Sequence, residues 1–194
     1  MNSTVRAIFF DRDGVVNFRL VDDYVRSPEQ LVLIPDLFDA LRKTRELGFL
    51  PILVTNQRGI ARGLMSEEDL HTIHRLLQSE LTRRGVPLFH AIYYCPHGPD
   101  DGCDCRKPEP GMLLRAAREH DIDLAHSWII GDSYSDVEAG ERAGCLTAWV
   151  GPGGGDIDPD LRGLTLTDVM KSIEADKRRR INEWIDTDRS DGRE

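Results

Sequence analysis

The sequence predicts an α/β fold, a single doubly wound domain with a mostly parallel sheet. Short apolar runs alternate along the chain with longer segments in which apolar residues recur every three or four positions, the pattern of strands alternating with amphipathic helices. With 194 residues, the chain is long enough for one domain with a sizeable core. No internal repeat or second domain is apparent. We therefore expect one domain over residues 1–186, without a large cap domain, and a flexible tail over residues 187–194.

Five short apolar segments predict the buried strands of this sheet. They are rich in branched and aromatic residues and are bounded by charged or turn-forming residues. The first is apolar after Arg6 and stops at Asp11, and the second is followed by Thr55. Because helical segments separate them, we expect right-handed crossovers between parallel strands. The five segments are, in chain order, residues 5–10, 50–54, 91–94, 128–130 and 146–150.

Five amphipathic segments predict the helices. The second begins at Ser66, with Asp69 in a capping-box-like position, and the last is rich in charge with only a thin apolar face. The polar segments 16–30 and 152–159 are expected to be loops, the first of them near an active site. The helical segments are residues 36–47, 66–85, about 110–120, a short helix through 138–143, and 167 to about 185.

Composition and charge narrow the classes of function. Hydrophobic residues make up 40% of the chain and charged residues 30%, which is typical of a soluble globular protein. A formal net charge of −9 argues against a nucleic-acid partner that depends on broad phosphate neutralisation, but not against a small phosphorylated substrate. Nothing approaches the roughly 20 apolar residues of a membrane span. We expect a cytoplasmic monomer without a membrane partner.

The cysteines are clustered in a way that indicates metal binding. Cys95, Cys103 and Cys105 lie within eleven residues, and His97 lies among them. Three thiolates and one imidazole are the ligand set of a closed, structural zinc site. A disulfide or unliganded thiols are the alternatives. Cys145 stands apart and is expected to be a buried structural thiol.

Polar residues follow three of the predicted strands. Asp11 and Asp13 come directly after the first strand and precede Gly14, Thr55 follows the second, and Asp132 follows the fourth. Asp-Arg-Asp-Gly alone could be a simple turn. Two close carboxylates repel each other, however, and a hard cation such as Mg²⁺ relieves that repulsion. Since parallel strands present their carboxyl ends at one edge of a sheet, these residues are expected to form one site for phosphoryl transfer.

Longer motifs carry a resemblance to a known family. Their order is similar to that of the four motifs of the haloacid dehalogenase superfamily. In more detail, the chain resembles the bacterial D-glycero-D-manno-heptose-1,7-bisphosphate 7-phosphatases, which are neighbours of the histidinol-phosphate phosphatases. The matching segments are DRDGVVN at 11–17, TNQ at 55–57 with GIARG at 59–63, YCPH at 94–97, CDCRKP at 103–108 and GDSYSD at 131–136.

The resemblance implies a role for each central residue. Asp11 would attack phosphorus and carry an aspartyl-phosphate intermediate, and Asp13 would protonate the leaving oxygen and then activate water. Asp11, the backbone carbonyl of Asp13, and Asp132 would hold Mg²⁺. Thr55 would bind phosphoryl oxygens, and Lys107 would offset their charge.

The resemblance also implies the surroundings of the substrate. The zinc loop at residues 95–105 would fix Arg106 and Lys107, and Asp136 would orient Lys107 or complete the site. The residues expected to contact substrate or its immediate surroundings are Asp22, Asp23, Tyr24, Asn56, Gln57, Arg58, Arg106, Ser133 and Asp136.

The implied reaction is Mg²⁺-dependent removal of the 7-phosphate of a heptose 1,7-bisphosphate, a step in heptose biosynthesis for lipopolysaccharide. A histidinol-phosphate phosphatase or another small phosphomonoesterase is the nearest alternative. A nucleic-acid-end phosphatase would share the motifs but not the acidic charge. A zinc-stabilised binding module on an inactive phosphatase fold is the non-enzymatic alternative.

Overall fold

The computed structural model, which describes residues 4–21 and 23–191, confirms the α/β class. Six strands form one sheet in the order β3-β2-β1-β4-β5-β6, and all neighbouring strands are parallel. The strands are β1 (Ala7–Phe10), β2 (Leu50–Asn56), β3 (Ala91–Cys95), β4 (Trp128–Gly131), β5 (Leu146–Val150) and β6 (Leu161–Gly163). The helices are α1 (Leu37–Glu46), α2 (Arg58–Ala61), α3 (Glu67–Arg83), α4 (Gly111–His120), α5 (Tyr134–Ala143) and α6 (Leu166–Asp191).

Strand β1 lies at the centre of the sheet and is buried on both faces. Ile8 and Phe10 point into a core formed with α1, α3 and α6, whereas Ala7 and Phe9 point into a second core with α4 and α5. This alternation follows from the two-residue period of a strand. The chain order reverses beside β1, so the crevice for a ligand is expected at the carboxyl ends of β1 and β4.

Most of the predicted elements are present with shifted ends. The second predicted helix corresponds to α3, which begins after Ser66 as expected. The Ser66 side chain accepts from the Asp69 backbone N–H at 3.1 Å, and the Asp69 side chain accepts from the Ser66 backbone N–H at 2.8 Å. Strand β1 begins at Ala7 rather than at Val5, which makes only an isolated bridge with Ile122. Strand β2 continues through Asn56, two residues beyond its predicted end, because it pairs with β3 over that length.

Two short elements lie outside the predictions. Helix α2 has one turn, and β6 has three residues at the edge of the sheet, so neither has enough length for a periodic pattern. Helix α6 extends to Asp191, beyond the predicted end near residue 185. The flexibility expected of residues 187–194 stays a prediction, and residues 192–194 lie outside the described part of the chain. Among the described residues, no helix combines the length and apolar character that a membrane span requires.

Candidate active site

A buried ion cluster lies at the carboxyl end of β1. The Nζ atom of Lys107 donates to Asp11 Oδ1 at 2.7 Å and to the Val54 carbonyl at 3.0 Å, and it lies 2.5 Å from Asp136 Oδ1. Burial raises the pKa of Asp11 to about 7, with the carboxylates of Asp136 and Asp13 adding to the rise and Lys107 opposing it. Burial alone would lower the pKa of Lys107, but its two carboxylate partners raise it. The lysine is therefore a permanent cation beside Asp11.

A tight turn after β1 brings a second carboxylate close to this cluster. Gly14 has a φ of 101°, and a Cβ atom there would overlap the Asp132 carboxylate, so only glycine allows the close approach. One oxygen each of Asp11, Asp132 and Asp136 lies within 4.8 Å of the others. Burial raises the pKa of Asp132 to about 6, although Arg19 opposes the rise. Crowded, poorly solvated carboxylates of this kind favour a cation among them.

Arg19 supplies such a cation. Its Nη2 atom donates to Asp132 Oδ1 at 2.7 Å and to the backbone carbonyl of Asp13 at 3.0 Å. These two acceptors belong to the predicted magnesium ligand set. We call Asp11, the Asp13 carbonyl and Asp132 the cation cradle. Because a guanidinium binds two of its three groups, the cradle accommodates a positive charge, and its oxygen ligands suit a hard divalent ion.

Asp13 is held on the cavity side of this turn. Its carboxylate accepts from Arg12, from Asn17 Nδ2 at 2.9 Å and from Gln57 Nε2 at 3.1 Å. Burial would raise the pKa of Asp13, but the charge of Arg12 and these hydrogen bonds together lower it. The carboxylate is thus ionised at neutral pH and fixed in direction.

The end of β2 forms another wall. Thr55 is buried, and its Oγ1 accepts from Gln57 Nε2 at 2.8 Å. Asn56 spans the gap to the next loop: its Nδ2 donates to the Lys107 carbonyl at 2.9 Å and its Oδ1 accepts from the Lys107 N–H at 3.0 Å. This pair of bonds fixes the main chain at Lys107, whose peptide bond to Pro108 is cis.

These groups surround a cavity of about 490 Å³. It contains all four predicted catalytic residues and five of the predicted substrate contacts. Its lining residues are Asp11, Asp13, Arg19, Leu20, Asp23, Tyr24, Val25, Thr55, Asn56, Arg62, Lys107, Ser133, Ser135 and Asp136.

Three predicted substrate contacts do not line this cavity. Gln57 is fully buried and binds Asp13 and Thr55, so it supports the site from behind. Arg58 is exposed and is not among the described residues that line the cavity, and neither is Arg106. Arg106 donates to the His97 carbonyl and lines a neighbouring groove. Asp22 lies outside the described residues.

Two further predicted contacts carry internal duties as well. Asp136 Oδ2 accepts from the backbone N–H and the hydroxyl of Ser133, which caps α5. Asp23 accepts from the Tyr24 N–H and pairs with Arg26 at 2.8 Å. The cap ties Asp136 in place, which orients its other oxygen toward the ion cluster.

Three basic residues at or behind the cavity were not predicted from the sequence. Arg12 lies inside the first motif and Arg62 inside GIARG, where the guanidinium lies over the Tyr24 ring at 5.9 Å. Because Arg12 and Arg62 lie inside matching motifs, the family resemblance could have indicated both. Arg19 lies in a loop without periodicity, so its contact with Asp132, 113 residues away, leaves no trace in the sequence.

A second cluster joins β3 to the loop that carries Lys107. Cys95 Sγ lies 3.6 Å from both Cys103 Sγ and His97 Nδ1, and His97 Nδ1 lies 3.3 Å from Cys105 Sγ. Bonds of about 2.3 Å to sulfur and 2.0 Å to nitrogen around a tetrahedral zinc give ligand separations of about 3.5 to 3.8 Å. The cysteines are free rather than disulfide-bonded, so the donor set and its spacing fit zinc.

The chain is similar to a known family of hydrolases and to its characterised members. The model of the HAD-hydrolase-like family matches residues 104–174. The D-glycero-beta-D-manno-heptose-1,7-bisphosphate 7-phosphatase of Bordetella bronchiseptica is 42% identical over 151 residues, which is 78% of this chain and 83% of that protein. The enzyme of the same name from Yersinia pestis is 40% identical over 189 residues, which is 90% of this chain and 98% of that protein.

A solved structure is similar over nearly the same length. The B. bronchiseptica D,D-heptose 1,7-bisphosphate phosphatase, crystallised with magnesium and phosphate, superimposes with a TM-score of 0.79 and 36% identity. The match covers 89% of this chain and 99% of that one.

Proposed function

Because the chain belongs to the family of heptose-1,7-bisphosphate 7-phosphatases within the HAD-like hydrolases, we propose that it hydrolyses the 7-phosphate of D-glycero-β-D-manno-heptose 1,7-bisphosphate. The observation that carries the proposal is the position of Asp11. This carboxylate lies at the base of the cavity, with Lys107 on one oxygen and the carboxylate of Asp132 nearby. Such an arrangement suits a nucleophile for phosphoryl transfer.

The first step forms a bond from Asp11 to phosphorus. Lys107 holds Oδ1 of Asp11, and we assign in-line attack to Oδ2. The bond between phosphorus and the sugar oxygen breaks, and Asp13 gives that oxygen a proton. The acid role needs a protonated Asp13, which the negative charge of the bound phosphate monoester favours. Thr55, which lines the cavity, would bind the phosphoryl oxygens through its hydroxyl.

The second step releases phosphate. A water molecule attacks phosphorus as Asp13 takes its proton, and the bond between Asp11 and phosphorus breaks to give inorganic phosphate. The hydrogen bonds that keep Asp13 ionised suit it to this role as a base. Lys107 stays charged through both steps and stabilises the carboxylate that leaves.

Asp11, the Asp13 carbonyl and Asp132 are the residues that would hold magnesium. Arg19 already binds two of these three acceptors, which supports the fit. When bound, the ion supplies charge neutralisation for the phosphoryl oxygens and keeps Asp11 ionised.

We propose that Cys95, His97, Cys103 and Cys105 bind one structural zinc ion. Four protein ligands leave no open position, so this zinc acts by fixing the loop that ends at Lys107. Thiolate ligands of this kind persist in a reducing compartment, which agrees with a cytoplasmic enzyme. Elemental analysis should find one zinc per chain. Cys105→Ser should lose the zinc and lower turnover at least tenfold, whereas Cys145→Ser should keep it; a zinc-free Cys105→Ser with full turnover would contradict the role.

The function is tested by phosphate release from purified protein. We expect kcat/KM for the β-heptose 1,7-bisphosphate to exceed that for the α anomer and for histidinol phosphate. Release should require Mg²⁺, and Asp11→Asn should abolish it. A higher kcat/KM for histidinol phosphate would assign the chain to the neighbouring subfamily. If Asp11→Asn turned over substrate at the wild-type rate, Asp11 would not be the nucleophile.

A further inference from the structure

Arg12 is a fully buried cation whose charge faces the cavity through one partner. Its side chain is 0% exposed, and it donates to both oxygens of Asp13: from Nε to Oδ1 at 3.2 Å, and from Nη2 to Oδ1 at 3.0 Å and to Oδ2 at 2.8 Å. Neighbouring residues of a strand would point in opposite directions. Here the backbone N–H groups of Val16 and Asn17 donate to the Arg12 carbonyl, and this turn brings the two side chains together.

Arg12 supplies three of the five hydrogen bonds that hold the Asp13 carboxylate. Asn17 and Gln57 supply the other two. The Asp13 side chain nevertheless keeps 23% of its surface exposed, toward the cavity. A planar guanidinium that binds both oxygens fixes the direction of a carboxylate in a way that a lysine ammonium does not.

His74 lies in α3, near enough to Arg12 for the guanidinium charge to act on its ring. It is buried, and burial together with the charge of Arg12 lowers its pKa to about 3, so the ring is neutral at physiological pH. Its Nε2 atom and the Nη1 atom of Arg12 are both buried side-chain nitrogens without a hydrogen-bond partner. A neutral imidazole nitrogen can accept from a guanidinium, directly or through one water molecule.

We propose that Arg12 is a positioning residue for Asp13 and that His74 supports Arg12, so that a chain His74–Arg12–Asp13 aims the carboxylate at the leaving oxygen and the attacking water. The inference rests on the acid and base roles that the proposed function gives to Asp13. It adds two residues that do not touch substrate.

The test uses two leaving groups, because Asp13 matters unequally for them. A sugar alkoxide needs a proton to leave, whereas p-nitrophenolate does not, and hydrolysis of the intermediate needs the base in both cases. Arg12→Lys should therefore release a burst of p-nitrophenol close to one equivalent of enzyme, followed by a slow steady state. On the heptose bisphosphate, kcat should fall about 100-fold with little change in KM, since general acid–base catalysis contributes roughly 10²- to 10⁴-fold.

His74 gives a second, milder arm. His74→Phe keeps the ring volume but removes the acceptor, and we expect kcat on the bisphosphate to fall three- to tenfold. His74→Gln restores an acceptor and should recover most of that loss. Arg75→Gln, an exposed neighbour on α3, is the control for the substitution itself and should behave as the wild type.

The outcomes are separable. The proposal is refuted if Arg12→Lys lowers the burst rate and the steady-state rate by the same factor. It is also refuted if His74→Phe and His74→Gln have the same kcat on the bisphosphate. Full activity of Arg12→Lys on the bisphosphate would also refute it. If the wild type does not hydrolyse the bisphosphate, the proposed function fails, while the ratio of burst to steady-state rate on p-nitrophenyl phosphate still tests Arg12.

Discussion

Replacing Asp11 by asparagine should abolish catalysis and at the same time stabilise the metal-free protein. The asparagine side chain has the same shape, and its amide oxygen can still accept from Lys107. What changes is the charge: Asp11 and Asp136 share one lysine, so the buried cluster has a net charge of −1 that the substitution removes. Buried charge without full compensation is unfavourable.

The magnitude follows from the pKa of Asp11, which burial raises from 3.8 to about 7. Since the folded state binds this proton more tightly than the unfolded state, the stability that the group contributes is lost as the pH rises from about 4 to about 7. Three pKa units correspond to about 4 kcal/mol. At about pH 5 protonation of native Asp11 leaves only about 2 kcal/mol of this penalty. The advantage of Asp11→Asn should therefore grow by about 2 kcal/mol between pH 5 and pH 8.

Urea unfolding in EDTA at the two pH values measures this difference. Asp39→Asn is the control, because that carboxylate is 84% exposed in α1 and removes the same formal charge without burial. Equal stability of Asp11→Asn and wild type at both pH values would refute the account, and so would an advantage that shrinks as the pH rises.

Three other perturbations address the cation cradle and the buried lysine. Gly14→Ala should weaken Mg²⁺ binding at least tenfold in calorimetry, because its Cβ overlaps the Asp132 carboxylate; Gly144→Ala, also at positive φ but in open space, should not, and equal affinities would contradict the steric argument. Arg19→Ala should tighten Mg²⁺ binding about two- to fivefold, since an exposed ion pair worth about 0.2–1 kcal/mol no longer competes; weaker binding would show that Arg19 assists the ion instead. Lys107→Met should destabilise the metal-free protein by about 3–5 kcal/mol in urea unfolding, and a loss below about 1 kcal/mol would contradict the buried ion cluster.

The sequence was sufficient to predict which strands meet at the site. Asp11 and Asp132 follow buried strands of a parallel sheet, so their meeting follows from topology, and the family resemblance was sufficient to add Lys107. The duties of Gln57 and Arg19 could not be predicted. Each depends on the path of an irregular turn or loop, where residue type does not reveal direction.

The same limit applies to the edge of the sheet. Strand β6 pairs with β5 through three residues, one of them Arg162, which is too short a segment for alternation to appear. The zinc ligands lie at the other extreme. Cys95 and His97 are two residues apart, as are Cys103 and Cys105, so local spacing alone was enough to predict the cluster.

The charges at the carboxyl edge of the sheet indicate an order of binding. Four carboxylates face three basic side chains: Asp11, Asp13, Asp132 and Asp136 with Arg12, Arg19 and Lys107. Arg19 is half exposed and reaches the cradle from a loop. If a divalent ion replaced the Arg19 guanidinium there, the remaining fixed charges would balance, and the freed arginine would still line the cavity, where it could meet the dianion of a phosphate monoester. Metal-free protein should therefore bind inorganic phosphate weakly, because its cavity keeps a negative excess and Arg19 is engaged by Asp132.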